Sequence, residues 1–223
     1  MLDQLEFSLS LIRHGESEVN VSPDLMGQGG GVSLTAHGMN QASLLRRHFT
    51  KQKQTFDLVY SSDYLRALDT AKIVIEKDND IILAEELREY SAGDWTGLSR
   101  KTTLTKDVKL RMGHMNHAFL PPNGESLTQV ERRVSRWLED TLLYNKQLIS
   151  IARDKREAGE EPLNIAIFSH GMTIKTLLHY VMGFDRGLTW KIIINNTSVS
   201  KLFFNEFGWH IASVNDCSHL ATR

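Results

Sequence analysis

Cysteine is almost absent from this chain, since Cys217 is the single one in 223 residues. One thiol excludes an intrachain disulfide and any zinc site built on several cysteines. The chain also has no excess of positive or negative charge, since 26 basic and 27 acidic side chains leave a formal net charge of −1. The sequence therefore offers no overall basic field to attract nucleic acid. No apolar run approaches the roughly 18 residues of a membrane span, so no membrane partner is expected.

The first residues, "MLDQLEFSLSLIRH", carry acids where a signal peptide needs a basic flank and a transit peptide needs arginine. With a single cysteine, this pattern predicts a reduced, cytoplasmic protein. A composition of 41% hydrophobic and 24% charged residues is ordinary for a globular protein. The length suits one domain over residues 1–223. Nothing in the sequence indicates an oligomeric state.

Short apolar runs alternate with amphipathic segments along the chain. Strands are predicted at residues 7–12, 56–62, 81–83 and 165–168. Helices are predicted from residue 35, over 63–76, from Ser126 to the "GEEP" stretch, and from 171 to 182. Ser126 and Gln129 fit a capping box, and the tail predicts an antiparallel hairpin that turns at 206–208. This order predicts an α/β fold: a three-layer α/β/α sandwich with a mostly parallel central sheet and an antiparallel C-terminal edge.

Residues 85–124 show little periodicity and end in two prolines. We expect an irregular insertion over the active-site end of the domain, lid-like at about 96–123, and not a second domain. It contains a local basic cluster, which is typical of a solvated helix face but would also attract an anionic substrate. The members of this cluster are Arg100, Lys101, Lys106, Lys109 and Arg111.

Two apolar runs stop at the same dipeptide: "LSLIRHGESEVN" at His14-Gly15 and "NIAIFSHGMTIKTLL" at His170-Gly171. In open α/β sheets, ligands lie beyond the carboxyl ends of the strands. If the two strands are neighbours, the two imidazoles face each other across one pocket. A glycine after each histidine would permit a tight turn and a close approach to a ligand. The helix that begins at Gly171 would offer free N–H groups to an anion.

Two arginine side chains are predicted to lie at the same end of the sheet. Arg13 precedes His14, and Arg66 lies in the first turn of the helix after another strand. Two guanidiniums, two imidazoles and a helix N-terminus describe a phosphate site. In such a site a neutral imidazole can attack phosphorus while arginines neutralise charge on the oxygens. A carboxylic acid is then needed to protonate the leaving oxygen. Spacing alone leaves four candidates, which are Glu85, Glu86, Glu89 and Asp94.

Six ordered segments resemble the histidine phosphatase superfamily, in its phosphoglycerate mutase-like branch. They are "LIRHGESEVN", "SLTAHGMNQA", "YSSDYLRALDTA", "LREYSAGDWTG", "PNGES" and "FSHGMTIKTLL", and they cover nearly the whole chain. The resemblance implies that His14 is the nucleophile that becomes phosphorylated and that Glu89 is the proton donor. It implies phosphate contacts from Arg13, Asn20 and Arg66, with His170 as the second histidine and Gly171 beside it.

The predicted activity is metal-independent hydrolysis of a small phosphorylated substrate, without a cofactor. The alternatives are a phosphoglycerate mutase that uses the same residues and a non-catalytic module that only binds a phospho-ligand. The mutases that it resembles carry longer insertions before the "GES" motif than the roughly 35 residues here. Relatives often carry an arginine shortly after the asparagine, where this chain has "VSPDLMGQGGG". Sugar phosphates, phosphoglycerates, nucleotide-derived phosphates and phosphoproteins all remain open as substrates.

Three weaker signals have simple structural explanations. The Asn20 amide caps local backbone or contacts phosphate, and the sequence does not separate these two roles. The spacing of His114 and His117 is metal-like, but an exposed loop pair is favoured because no cysteine or paired carboxylate accompanies them. No metal site is therefore predicted. The glycine-rich stretch lacks the Gly-Lys-Ser/Thr ending of a nucleotide-binding loop.

Overall fold

One mixed sheet organises the described part of this computed structural model, which comprises residues 5–24, 29, 31–75 and 81–221. Its strands are β1 (Phe7–Arg13), β2 (Leu58–Ser61), β3 (Ile81–Leu83), β4 (Leu163–Ser169), β5 (Val199–Asn205) and β6 (Gly208–Asp216). Their order across the sheet is β3-β2-β4-β1-β5-β6. Strands β1 to β4 are parallel to one another. Strand β5 runs antiparallel to β1, and β6 runs antiparallel to β5. This confirms the predicted sheet and its antiparallel C-terminal edge.

Helices cover both faces of the sheet. Successive strand residues point to opposite faces, so Leu11 packs in one apolar cluster with Val134 and Leu177, and Ile12 packs in another with Leu45. The three-layer prediction is therefore confirmed. The α-helices are α1 (Glu18–Val21), α2 (Ala36–Lys51), α3 (Leu65–Ile75), α4 (Arg100–Thr103), α5 (Lys106–Met115), α6 (Leu127–Leu138), α7 (Lys146–Glu157) and α8 (Gly171–Met182). The sequence predicts that α3 ends at Glu76, a residue that lies outside the described part of the chain.

The helix predicted from Ser126 starts as expected but ends much earlier. Ser126 and Gln129 form the capping box, and α6 stops at Leu138. A π-helical turn, Glu139–Leu143, follows, and α7 then begins separately. The side chain of Asn145 accepts hydrogen bonds from two backbone N–H groups and caps α7. The prediction of one continuous helix was wrong because buried leucines continue through the π-turn and hide the break.

The segment 85–124 consists mainly of short turns, as expected of an irregular insertion, but it also contains a ten-residue helix, α5. Thr105 caps α5, and none of its residues is buried. An apolar stripe is therefore missing, which explains why periodicity did not predict this helix. The segment reaches back over the loop after β1, since Ser99 forms a β-bridge with Asp24.

The prediction that His114 and His117 form an exposed loop pair is wrong for His117. His114 is exposed at the end of α5, but His117 is completely buried in the 3₁₀ turn Asn116–Ala118. The buried imidazole lies beside Glu131 and His179.

Candidate active site

The two His-Gly dipeptides meet at one edge of the sheet. Strands β1 and β4 are parallel neighbours, and Arg13 pairs with Ser169 at their ends. The next residue on each strand is a histidine, and the ring centroids of His14 and His170 are 5.1 Å apart. Both rings are buried. The adjacency that the sequence left conditional is therefore present.

His14 is held as a neutral imidazole with a defined tautomer. Its Nδ1–H donates to the carbonyl oxygen of Gly15 at 2.7 Å, which leaves the lone pair on Nε2. Burial holds the pKa of His14 well below its usual range, and the charges of Arg13 and Arg66 lower it further. An unprotonated Nε2 near two cations is the form required of a nucleophile toward an anion.

Both predicted arginines lie at this edge with their guanidiniums fixed by backbone carbonyls. Arg13 donates from a terminal nitrogen to Ile194 O at 2.7 Å, and Arg66 donates to Gly29 O at 2.7 Å. Arg66 is almost fully buried, at 1% exposure. Burial lowers the pKa of each guanidinium, and the nearby Glu89 carboxylate opposes that shift. The two cations are therefore positioned before any ligand arrives.

Helix α3 is tied directly to the His14 turn. The backbone N–H of Gly15 donates to Thr70 Oγ1 at 2.9 Å, and that hydroxyl donates to the carbonyl oxygen of Arg66 at 2.6 Å. The helix that carries one arginine is thereby fixed to the loop that carries the histidine.

Gly15 is required for a reason other than the expected tight turn, because neither Gly15 nor Gly171 has a positive φ. The first turn of α2 presses against the loop after β1. A Cβ on Gly38 would lie 1.9 Å from Glu16 O, and a Cβ on Gly15 would lie 2.7 Å from Gly38 O. These glycines permit a close contact between a helix and a loop. Gly171 packs against Arg13, with ordinary space for a Cβ at 3.5 Å from its Nε.

His170 lies behind His14 and does not belong to the residues that line the cavity. Its Nε2 is 2.9 Å from Ser62 Oγ, and the Tyr64 ring packs edge-on against it at 5.7 Å. Burial, followed by the charge of Arg66, lowers the pKa of His170 well below its usual range. Among the described residues its buried Nδ1 has no hydrogen-bond partner. Gly171 starts α8 directly after it.

Of the four candidate carboxylates, Glu89 alone lines the cavity. Its Oε1 accepts from the N–H of Tyr90 at 2.9 Å, and its Oε2 accepts from the N–H of Met172 at 3.3 Å, in the first turn of α8. Glu85 instead pairs with Arg88, and Asp94 accepts from Asn123 at the exposed surface. Glu86 contributes its carbonyl oxygen to a contact with the side chain of Arg133.

Arg133 was not predicted, and it holds the loop that carries Glu89. From α6 it donates to the carbonyl oxygens of Arg88 and Glu89 at 2.9 and 3.2 Å, and to the Glu125 carboxylate at 2.9 Å. Local sequence gives no signal for this role, because one arginine on a charged helix looks like any other solvated residue.

Asn20 has the local capping role considered for it and also lies at the cavity. Its Oδ1 accepts from the N–H of Ser17 at 3.0 Å, which is part of a capping box at α1. The same oxygen accepts from the side chain of Asn196 at 3.2 Å. Its side chain also lines the cavity. The amide oxygen is therefore engaged with protein, and the amide nitrogen is the atom available to a ligand.

The cavity at this edge encloses about 190 Å³ and includes a cation from the basic cluster. Arg100, at the start of α4, is the one member of that cluster that lines it. Its Nε donates to Asp24 O at 3.0 Å, which anchors the insertion over the loop after β1. The lining residues are Arg13, His14, Val19, Asn20, Arg66, Glu89, Tyr90, Arg100 and Met172.

Comparison with known proteins gives a consistent result. Residues 9–217 match the model of the histidine phosphatase superfamily, branch 1. A Hydrogenobacter thermophilus protein, named as a candidate phosphoserine phosphatase, is 30% identical and covers 87% of this chain and 88% of its own. A Yersinia enterocolitica protein, named as a probable phosphoglycerate mutase, is 28% identical and covers 94% and 93%.

A third relative is matched over a shorter span. The fructose-2,6-bisphosphatase TIGAR of Xenopus tropicalis is 34% identical over 69% of this chain, but the match spans only 56% of that protein's length. Among solved structures, a phosphoserine phosphatase from Entamoeba histolytica in complex with 3-phosphoglyceric acid superposes with a TM-score of 0.77. It is 24% identical and covers 96% of this chain and 100% of its own, which supports the fold. None of the helices described here is both long and apolar enough to span a membrane.

Proposed function

The chain belongs to the histidine phosphatase superfamily, branch 1, and on that basis we propose that it hydrolyses phosphomonoesters through a phosphohistidine on His14. One observation carries the proposal: His14 has an unprotonated Nε2 and lines the same cavity as two fixed arginines and Glu89. The site comprises His14, Glu89 and His170 as catalytic groups, with Arg13, Asn20, Arg66 and Gly171 on the phosphate. No metal ion takes part in the transfer.

In the first step, Nε2 of His14 attacks phosphorus, and the bond from phosphorus to the ester oxygen breaks. Arg13 and Arg66 neutralise the charge that builds up on the phosphoryl oxygens. The protonated carboxyl of Glu89 gives its proton to the departing oxygen, so the product leaves as a neutral alcohol. His14 keeps its Nδ1–H bond to Gly15 O throughout, which stabilises the positive charge on the phosphorylated ring.

In the second step, the Glu89 carboxylate takes a proton from a water molecule, and the resulting hydroxide attacks phosphorus. The P–N bond breaks, inorganic phosphate leaves, and His14 and Glu89 return to their starting forms. The N–H groups at the start of α8 hold phosphoryl oxygens in both steps. His170, which lies behind His14 and outside the cavity lining, contacts the phosphoryl group once that group is bonded to His14. The unpaired Nδ1 of His170 supports this role, since a buried polar atom without a partner is costly until a ligand satisfies it.

The direct test is release of inorganic phosphate from an aryl phosphate by the whole chain, with EDTA present. We expect turnover that EDTA does not reduce and a trapped phosphoprotein in which phosphate is bonded to nitrogen. A protein that binds phosphate but forms no phosphoprotein and releases none would be a binding module. That result would overturn the proposal.

A mutase activity is the second candidate, because the Yersinia relative is matched over nearly the full length of both chains. A mutase would return the phosphoryl group to the substrate before water reacts. Isomerisation of a phosphoglycerate primed with a bisphosphoglycerate, at a rate exceeding phosphate release, would establish this alternative.

Arg100 narrows the class of substrate. It is a cation in the same cavity as Arg13 and Arg66, and it is contributed by the insertion at 96–123, not by the sheet. We propose that it contacts a second anionic group of the substrate, such as a carboxylate. Because it contributes Arg100 to the cavity, we infer that the insertion selects the substrate and belongs to the same single domain as the sheet.

The single cysteine is consistent with a cytoplasmic location for the protein.

Replacing Arg100 by glutamine should therefore affect substrates unequally. For phosphoserine or a phosphoglycerate, we expect KM to rise by about tenfold to a hundredfold, since a hydrogen bond to a charged group is lost. For an aryl phosphate, which has no second anion, KM should change little. Lys101→Gln is the matched control, because the neighbouring lysine does not line the cavity. Equal effects on both substrates would contradict this assignment.

A further inference from the structure

We propose that the chain also binds a divalent transition metal ion such as Zn²⁺ at a second site, formed by His117, Glu131 and His179. This group, the His117 cluster, lies at the opposite end of α8 from His170. His179 follows His170, the N-cap of α8, by nine positions, which corresponds to about 13 Å along the helix axis. The proposal is independent of the phosphatase mechanism.

The ligand atoms of the cluster already converge. Glu131 Oε2 is 2.7 Å from Nδ1 of His179 and 3.6 Å from Nδ1 of His117. The potential ligand atoms of all three residues lie within 4.8 Å of one another, and the two ring centroids are 4.9 Å apart. Tetrahedral Zn²⁺ with bonds of about 2.0–2.1 Å places its ligand atoms about 3.4 Å apart. The observed separations are on both sides of that value, so small side-chain movements are sufficient.

The same atoms lack hydrogen bonds of acceptable geometry. Within the described part of the chain, three buried atoms have no hydrogen-bond partner: Nδ1 of His117, Nδ1 of His179 and Oε2 of Glu131. His117 is fully buried, and His179 is 9% exposed. Three unsatisfied polar atoms that face one another inside a protein call for an explanation. A metal ion between them satisfies all three at once.

The imidazole of His117 is oriented as a ligand requires. Its Nε2 lies 2.7 Å from Thr189 Oγ1. When Nε2–H donates to that hydroxyl, the lone pair is on Nδ1 and faces Glu131. A hydrogen bond on the second ring nitrogen is the usual means by which proteins fix a metal-binding histidine.

Two histidines and one glutamate form a ligand set that zinc accepts, with a fourth position for water. Without metal, Nδ1 of His179 and Oε2 of Glu131 lie 2.7 Å apart but outside hydrogen-bond geometry. A tetrahedral ion between them would bring both atoms into bonds of about 2.0–2.1 Å.

A metal at this site would crosslink parts of the chain that are distant in sequence. His117 belongs to the turn at the end of the insertion, Glu131 to α6, and His179 to the last turn of α8. Helix α6 also carries Arg133, which holds the Glu89 loop. The expected role is stabilisation of the fold around the insertion, without participation in phosphoryl transfer.

The test uses the untagged whole chain after treatment with a chelator and titration with Co²⁺ and then Zn²⁺. We expect one equivalent of Co²⁺ with the intense visible absorption of a tetrahedral site, and displacement by Zn²⁺. At a hundredfold excess of Zn²⁺ over its Kd, the thermal midpoint should rise by about 5 °C. Phosphatase activity of the chelated protein at room temperature should persist, so failure of one proposal is distinguishable from failure of the other.

Two variants and a control assign the site. His179→Gln and the milder Glu131→Gln should each weaken Co²⁺ binding by about tenfold or more, whereas His114→Gln, at an exposed histidine three residues before His117, should leave it unchanged. Thermal midpoints of the metal-free variants show that they fold. Substoichiometric binding, a weak octahedral spectrum, or tight binding that survives both variants would overturn the proposal.

Discussion

Replacing His14 by asparagine is expected to reduce turnover of an aryl phosphate by at least about 1,000-fold, because removal of a nucleophile leaves only binding and electrostatic effects. Asparagine is a suitable replacement, since its side-chain amide can still donate to Gly15 O as Nδ1 does in the wild type. It has no nitrogen at the position of Nε2. The measurement is the initial rate of phosphate release, together with radioactive phosphate retained on protein.

The matched control is His114→Asn, since this histidine is exposed and does not line the cavity. It should retain wild-type rates. Equal midpoints of urea unfolding for wild type and His14→Asn would show that the loss is chemical. If His14→Asn retained more than about a tenth of wild-type turnover, the nucleophile would have to be another group.

Glu89→Gln should give an effect that depends on the leaving group. Glutamine can still accept from the N–H of Tyr90 but cannot supply a proton. An alkyl phosphate needs that proton, so its first step should slow by about 100- to 10,000-fold. An aryl phosphate with an acidic phenol needs it much less, so phosphorylation of His14 continues while hydrolysis, which needs the base, is slow. Phosphoprotein should therefore accumulate.

Asp94→Asn provides the comparison, because Asp94 was an equal candidate by spacing and lies outside the cavity. Its effect should be small with both substrates. A Glu89→Gln enzyme that slows both substrates equally and accumulates no phosphoprotein would show that Glu89 is not the acid and base. Rates for the substrate pair in both variants are the required measurement.

The parts of the fold that the sequence predicts are those with local signals. Alternation of apolar residues marks β1, Ser126 and Gln129 mark the start of α6, and Gly183 caps the end of α8 in the left-handed conformation. The break after Leu138 was missed because a π-turn keeps the same buried face as the helix before it. Helix α5 buries no residue, so apolar periodicity does not predict it. Its signals are the basic cluster, which is typical of a solvated helix face, and the Thr105 cap.

Some residues of the candidate site could be predicted from the sequence, and others could not. His14, Arg13 and Arg66 occupy strand ends and a first helical turn, so topology alone brings them together. Arg133 acts on a loop more than forty residues earlier in the chain, and no local pattern records that contact. The His117 cluster joins three segments whose sequence spacing matches no metal motif, because the fold itself sets the distances.

The central position of β1 sets the order in which this protein can assemble during synthesis. β1 is made first, yet its two neighbours are made late: Phe7 pairs with Leu163 on one side and with Phe204 on the other. Contacts this distant in sequence carry a large chain-closure cost and slow folding. The edge of β1 must therefore remain unpaired on the ribosome until most of the chain has emerged, a period in which exposed strand edges favour aggregation. Phosphate binding at His14 should accordingly appear only late in folding, after β4 has docked.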